Sequence, residues 1–137
     1  MLRLDLLYWN GTVTRVLVVD DDDIILEVAQ MSLEAVAGWD VITASSGAEA
    51  VATARAEVPD AIVMDVMMPE MDGPTACRLL AADELTRDIP IVLLTAKVQQ
   101  SEQRQWASLP VAGVLAKPFD PMRLAGQVAE LVGWSLT

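Results

Sequence analysis

Five short apolar runs, each followed by a stretch with helical spacing, constrain this chain more than any other feature. The runs are Val16–Val19, Val41–Ala44, Ala61–Asp65, Pro90–Leu94 and Val111–Ala116. Apolar runs of this kind, without polar alternation and bounded by turn residues, fit parallel strands covered on both faces. Helical stretches follow in turn: Ile24 to Val36, closed by Gly38; Ala48–Glu57, opened by Ser46-Gly47; Pro74 to about Glu84; Val98–Trp106; and Pro121 to about Val132. Strict alternation with short connections predicts an α/β fold, a doubly wound five-stranded parallel sheet with helices on both faces and right-handed crossovers. In the first helix, Ile24, Val28, Met31 and Ala35 recur at helical spacing and are read as the apolar stripe. In the third, Ala76, Leu79 and Leu80 are placed inward.

Composition narrows the function. The chain has 137 residues, enough for one domain with a sizeable core, and 53% of them are hydrophobic. Its net charge of −11 argues against nucleic acid as a direct partner. One cysteine, Cys77, rules out an internal disulfide and agrees with a reducing cytoplasm. No apolar run reaches the length of a membrane span. There is no histidine, which removes the commonest general base and most zinc sites together. Regular patterning begins at Arg15. Residues 1–14 precede it, with Leu2, Leu4 and Leu6 alternating before an Asn10-Gly11 turn signal, and read as an added strand, a partner-binding arm or a tail.

The polar residues converge. In open parallel sheets ligands sit outside the carboxyl ends of the strands. At those ends stand Asp20 and Asp21 after the first strand, Asp65 after the third, Thr95 after the fourth and Lys117 after the fifth. Three crowded carboxylates repel one another unless a cation sits among them. A hard divalent ion, Mg²⁺ first, meets that need with oxygen ligands. A hydroxyl and an ammonium opposite a metal-bound carboxylate suit a phosphoryl group. Asp65 would then attack in line and become an aspartyl phosphate.

Four motifs now carry a family likeness: Val18-Val19-Asp20-Asp21, Met64-Asp65 through Asp72-Gly73, Leu93-Leu94-Thr95-Ala96 and Ala116-Lys117-Pro118-Phe119. In order and spacing they resemble the receiver domain of bacterial two-component response regulators, over about residues 15–134, with 135–137 as a tail. The resemblance implies a flavodoxin-like receiver fold. It implies that Asp65 accepts phosphate from a sensor histidine kinase or a histidine phosphotransfer protein. Asp20, Asp21, Asp65 and the backbone carbonyl of Met67 would hold Mg²⁺. Lys117 would contact the phosphoryl group, Thr95 would move to hydrogen-bond it, and the Lys117-Pro118 bond would be cis. One position departs from the family: many receivers carry Tyr or Phe three residues before the lysine, where this chain has Val114. The usual aromatic readout is thereby put in question, and any switch must work through other packing changes.

The remaining residues have plainer readings. Asp22 and Asp23 read as an acidic helix start with Asp23 as N-cap. Glu70 and Asp72 read as loop charges, and Gly73 as meeting a backbone requirement where the helix begins. Met64 is placed in the core, Met67, Met68 and Met71 in loop packing, with Met67 also a brake on hydrolysis of the acyl phosphate. Cys77 reads as an ordinary buried or half-buried residue and Trp106 as a core or interface residue.

The expected protein is a stand-alone cytoplasmic response regulator for phosphorelay signal transduction, not an enzyme beyond its own phosphorylation and dephosphorylation. Its output would be protein–protein interaction through the Val98–Trp106 helix, the fifth strand and the last helix, with an unidentified target, no membrane and a homodimer left open. Two rivals stand beside it. One is a docking or dimerisation module with a receiver fold that works without phosphate. The other is a Mg²⁺-dependent phosphohydrolase, in whose haloacid-dehalogenase-like pattern an acid stands two residues after the nucleophile, where this chain has Met67.

Overall fold

The computed structural model describes residues 13–96 and 108–136. Five strands, β1 (Arg15–Val19), β2 (Asp40–Ala44), β3 (Ala61–Asp65), β4 (Ile91–Thr95) and β5 (Gly113–Ala116), form one sheet in the order β2-β1-β3-β4-β5. Every neighbouring pair is parallel, with Val19 opposite Ala44 and Met64, Asp65 opposite Leu94, and Thr95 opposite Ala116. The order reverses between β1 and β3, so the crevice at their carboxyl ends is the topological switch point. The expected helix over Val98–Trp106 and the segment 1–12 lie outside the described residues.

Among the described residues four helices cover the sheet: α1 (Asp23–Ala37), α2 (Gly47–Glu57), α3 (Gly73–Ala81) and α4 (Leu124–Val132). Alternate strand residues point to opposite faces. Leu17, Val19, Ile62, Met64 and Leu93 pack with Ala50 and Ala54 of α2 and with Ala76, Cys77 and Leu80 of α3. Val16, Val18, Val63, Val92 and Leu94 pack with α1 and α4 on the other side. The buried thiol of Cys77 is pushed up to about 12 by desolvation, which leaves it an inert packing group.

Helix α1 turns a different face inward from the one read off the sequence. Leu26, Ala29, Ser32 and Leu33 are buried, while Ile24, Val28, Met31 and Ala35 face outward. The inner line is broken by Ser32, a polar residue that obscures it in sequence. Its hydroxyl donates to the Ala29 carbonyl at 3.2 Å, so it is buried without an unsatisfied donor. The N-cap is Asp22 rather than Asp23: its Oδ1 accepts from the amides of Ile24 (2.9 Å) and Ile25 (3.4 Å). Gly38 closes the helix with φ 70°, a left-handed conformation that favours glycine, as its sequence position suggested.

Helix α3 differs at both ends. Asp72 is its N-cap, accepting from the Thr75 amide at 2.8 Å, not a solvated loop charge. The helix stops at Ala81, short of Glu84, and Leu79 is exposed. The buried Thr86 hydroxyl donates to the Leu80 carbonyl at 2.7 Å, so the chain turns back instead of continuing the helix. Helix α4 starts at Leu124 rather than Pro121, because the preceding residues form a turn in which Asp120 Oδ1 accepts from the Met122 amide at 2.9 Å. At the far end of the sheet Trp39 and Trp134 meet edge to face, 5.3 Å between centroids, beside an open groove of about 760 Å³. None of the converging polar residues lines it.

Candidate functional site

The site is built by strand ends. Asp20 follows β1 directly, and its amide donates to Ala44 O at 3.2 Å, extending the β1–β2 ladder. Its side chain is only 1% exposed. Asp20 Oδ1 accepts from the Asp22 amide at 2.9 Å and Oδ2 from Lys117 Nζ at 3.0 Å. Asp65 closes β3 at 5% exposed, and its Oδ1 accepts from the same ammonium at 3.3 Å. Asp21 is exposed beside them, and one oxygen from each of Asp20, Asp21 and Asp65 lies within 4.8 Å of the other two. Thr95 closes β4 and is buried; its carbonyl accepts from the Lys117 amide at 2.8 Å, which seats the lysine next to it. The peptide bond between Lys117 and Pro118 is cis.

All five side chains read from the sequence are therefore at one edge, with Lys117 bridging two of the carboxylates. Met67 lies two residues beyond Asp65 with its side chain exposed at the mouth of the β3–α3 loop. Val114 is half-buried and packs on the α2–α3 side of the sheet.

Burial raises the Asp65 carboxyl above the usual carboxylate range, and the Asp20 charge adds to this, while Lys117 works against both. Lys117 itself is pulled down by burial, yet its hydrogen bond to Asp20 and the charges of Asp20 and Asp65 outweigh that and leave it raised. The ammonium thus offsets part, not all, of the carboxylate crowding. Hard oxygen donors with surplus negative charge suit a small divalent cation such as Mg²⁺, which would complete the neutralisation.

The raised Asp65 value has a sign for stability. A group that binds its proton more tightly when folded contributes stability that is full below its unfolded pKa and lost as pH rises through the folded one. Without divalent ions, wild type should therefore gain stability relative to Asp65→Asn as pH falls from neutral through the Asp65 transition. Denaturation midpoints of the two proteins across that range test this; a constant difference would show that Asp65 is not held in a charge-penalising site.

Gly73 holds the acceptor loop closed. Its amide donates to Val66 O at 2.9 Å, and a Cβ there would meet Asp65 O at 2.6 Å and Val66 Cα at 3.1 Å. Those obstacles are backbone, so no rotamer change relieves them. We expect Gly73→Ala to cost about 1–3 kcal/mol in urea denaturation and to shift the Asp65 amide resonance. An unchanged midpoint would mean the loop yields freely.

Residues 16–129 match the response regulator receiver domain family. The chain belongs to that family. PhoP, the alkaline phosphatase synthesis transcriptional regulatory protein of Bacillus subtilis, is 39% identical over 118 residues, covering 86% of this chain and 48% of PhoP. This receiver thus spans about half the length of that relative. Among solved structures, the chemotaxis response regulator CheY4 of Vibrio cholerae superposes with a TM-score of 0.82 at 31% identity, covering 88% of this chain and 99% of CheY4. The receiver domain of the sensor histidine kinase PA1611 from Pseudomonas aeruginosa superposes at 0.79 with 30% identity, covering 88% and 98%, and has a magnesium ion coordinated in its active-site cleft. The doubly wound parallel sheet expected from the alternation of runs, and the flavodoxin-like receiver fold that the resemblance implied, are observed.

Two features of the receiver site were not legible beforehand. The specific demand on Gly73 is close approach to a backbone carbonyl, which a glycine after a turn does not reveal. The second is Asp72, whose capping role depends on where α3 starts; the spacing Asp72-x-x-Thr75 was the signal available for it.

Proposed function

We propose that this receiver is a phosphorylation-dependent switch with Asp65 as its acceptor. Phosphate would come from the phosphohistidine of a sensor histidine kinase or histidine phosphotransfer protein, and output would be protein–protein contact. The observation that carries this reading is Lys117 Nζ set against both Asp20 and Asp65 at the switch point of the sheet. A structural ion pair would be satisfied by one carboxylate. The second, partly uncompensated one is a poised nucleophile.

In the transfer, an Asp65 oxygen forms the O–P bond while the P–N bond to the donor's imidazole breaks. The electron pair leaves with the imidazole nitrogen, and the proton already on the other ring nitrogen makes the departing imidazole neutral. Lys117 would pass from Asp65 to a phosphoryl oxygen, and the Thr95 hydroxyl would donate to another. Asp20, Asp21, Asp65 and the Met67 carbonyl are the proposed holders of Mg²⁺, whose role when bound is to neutralise phosphoryl and carboxylate charge. The receiver needs no external substrate turnover for this cycle. We place its bounds at residues 15–134.

Intact-protein mass after incubation with acetyl phosphate, with and without Mg²⁺, tests the reading. A single Mg²⁺-dependent phosphoryl adduct is expected. No adduct on a folded protein whose midpoint rises with Mg²⁺ would instead support a docking module that works without phosphate. A gain in unfolding free energy of about 2.7 kcal/mol is expected when Mg²⁺ exceeds its Kd about a hundredfold.

A further inference from the structure

The foot of the sheet, at the amino end of β1, is apolar and open. Three grooves of about 760, 630 and 330 Å³ meet there, and Val13 and Trp39 line all three. Trp134, packed against Trp39, lines the largest. Around these grooves stand Val13, Val36, Val58 and Leu136 at 48%, 41%, 50% and 43% exposed. Single exposed apolar residues are ordinary, but four large ones around one furrow form a patch. It lies at the opposite end of β1 from Asp20, so the chemistry at Asp65 makes no use of it.

The chain itself supplies matching side chains. Residues 1–12 lead into β1 at this furrow. The point of entry is pinned: Thr14 O accepts from the Asp40 amide at 2.8 Å, and the Arg15 amide donates to Asp60 Oδ2 at 2.8 Å. Seven of the first nine residues are apolar or aromatic, ending in Tyr8-Trp9. Asn10-Gly11 stands just before Thr12 and Val13 and is the dipeptide that most favours a tight reversal of the chain. A reversal there turns the preceding residues back over the furrow.

We propose that residues 4–9 fold back onto this foot as an intramolecular strap, with Tyr8 and Trp9 set against Trp39 and Trp134. Large aromatic side chains bury the most apolar area and pair favourably with other rings, which suits a furrow already walled by two indoles. A segment tethered beside its own groove has an effective concentration of about millimolar, which favours it over an outside partner with the same side chains. A second copy is disfavoured further, because each chain carries a net charge of −11. The strap would tie the start of β1, the corner between α1 and β2, and the end of α4 to one another. The proposal is independent of phosphorylation at Asp65.

The test uses the full chain. Tyr8 is its single tyrosine, so the ring protons are assigned without ambiguity by NMR. Nuclear Overhauser contacts are expected from Tyr8 or Trp9 to Trp39 or Trp134, and in a mixture of labelled and unlabelled chains they should arise within one molecule. Trypsin cleavage after Arg3 should be about tenfold faster in Leu136→Asp, and in the double variant Tyr8→Asp with Trp9→Asp, because cleavage follows the released population. Arg15, within β1, should stay uncut in both, which separates release of the strap from unfolding. The double variant lies outside the two packed cores, so its result stands even if Leu136→Asp unfolds. Absence of these contacts, or cleavage after Arg3 as fast in wild type as in the double variant, would overturn the proposal. So would contacts found only between chains, since the furrow would then hold the segment of a second copy.

Discussion

Asparagine at position 65 should reduce acetyl phosphate labelling roughly 10⁴-fold or more, to background, while the protein stays folded. The amide keeps the volume and one acceptor oxygen of the carboxylate but lacks the charge and nucleophilicity that attack requires. Its fold should survive because Lys117 retains Asp20 at 3.0 Å, the shorter of its two contacts. Burial already penalises the Asp65 charge, so the substitution removes a cost as well as a partner. Intact mass together with a urea midpoint measures both halves of the expectation. Stable phosphate on the variant, carried by another residue, would remove Asp65 from the acceptor role.

Lys117→Met should show a double effect. Labelling should fall about 10²–10³-fold, the range seen when one preorganised donor to a developing anionic centre is removed. Stability without divalent ions should also fall at neutral pH. Two carboxylates that are 1% and 5% exposed would lose the cation they share. Removing one partner of a fully buried pair costs more than the pair contributes, because the remaining charge has no compensation. Here the lysine side chain is 19% exposed, so we expect a smaller loss, about 1–3 kcal/mol. Mg²⁺ should restore much of it, since a cation among the carboxylates replaces the missing charge. Denaturation with and without Mg²⁺ reads this directly. A variant as stable as wild type in the absence of Mg²⁺ would mean that solvent, not Lys117, screens the two carboxylates.

Both expectations depend on the same arrangement, in which a single ammonium must serve two acids. That sharing leaves one carboxylate better compensated than the other. Asp20 is held by the Asp22 amide at 2.9 Å as well as by Lys117 at 3.0 Å, whereas Lys117 stands farther from Asp65, at 3.3 Å. Asp65 is thus the less tied of the two buried carboxylates, and the residue read from the sequence as the nucleophile.

Much of this was legible in the chain. The five apolar runs are short and bounded by turn residues, and four of them, all but Val41–Ala44, lead directly into a residue of the site. Parallel strands joined by right-handed crossovers must bring those ends to one edge, so Asp20, Asp65, Thr95 and Lys117 converge by topology before any side-chain packing is considered. Gly38 was readable as a helix end because only local backbone freedom was at stake.

Tertiary structure decided the matters in which local pattern permits two answers. Helix α1 has two apolar lines of acceptable period, and periodicity does not say which meets the sheet; the strand side chains Val16, Val18 and Val63 accept the line through Ala29, whose small side chain lets the helix approach. Asp72 could be a loop charge or a cap, and its role was settled by where α3 begins. Gly73 matters through a carbonyl eight residues earlier that folds back onto it. The sequence alone thus determined the order of elements and the convergence of the reactive groups, because period and connectivity are local properties of a chain. Only the folded structure decided which faces are covered and how one lysine divides its charge between two carboxylates, because those depend on what packs opposite.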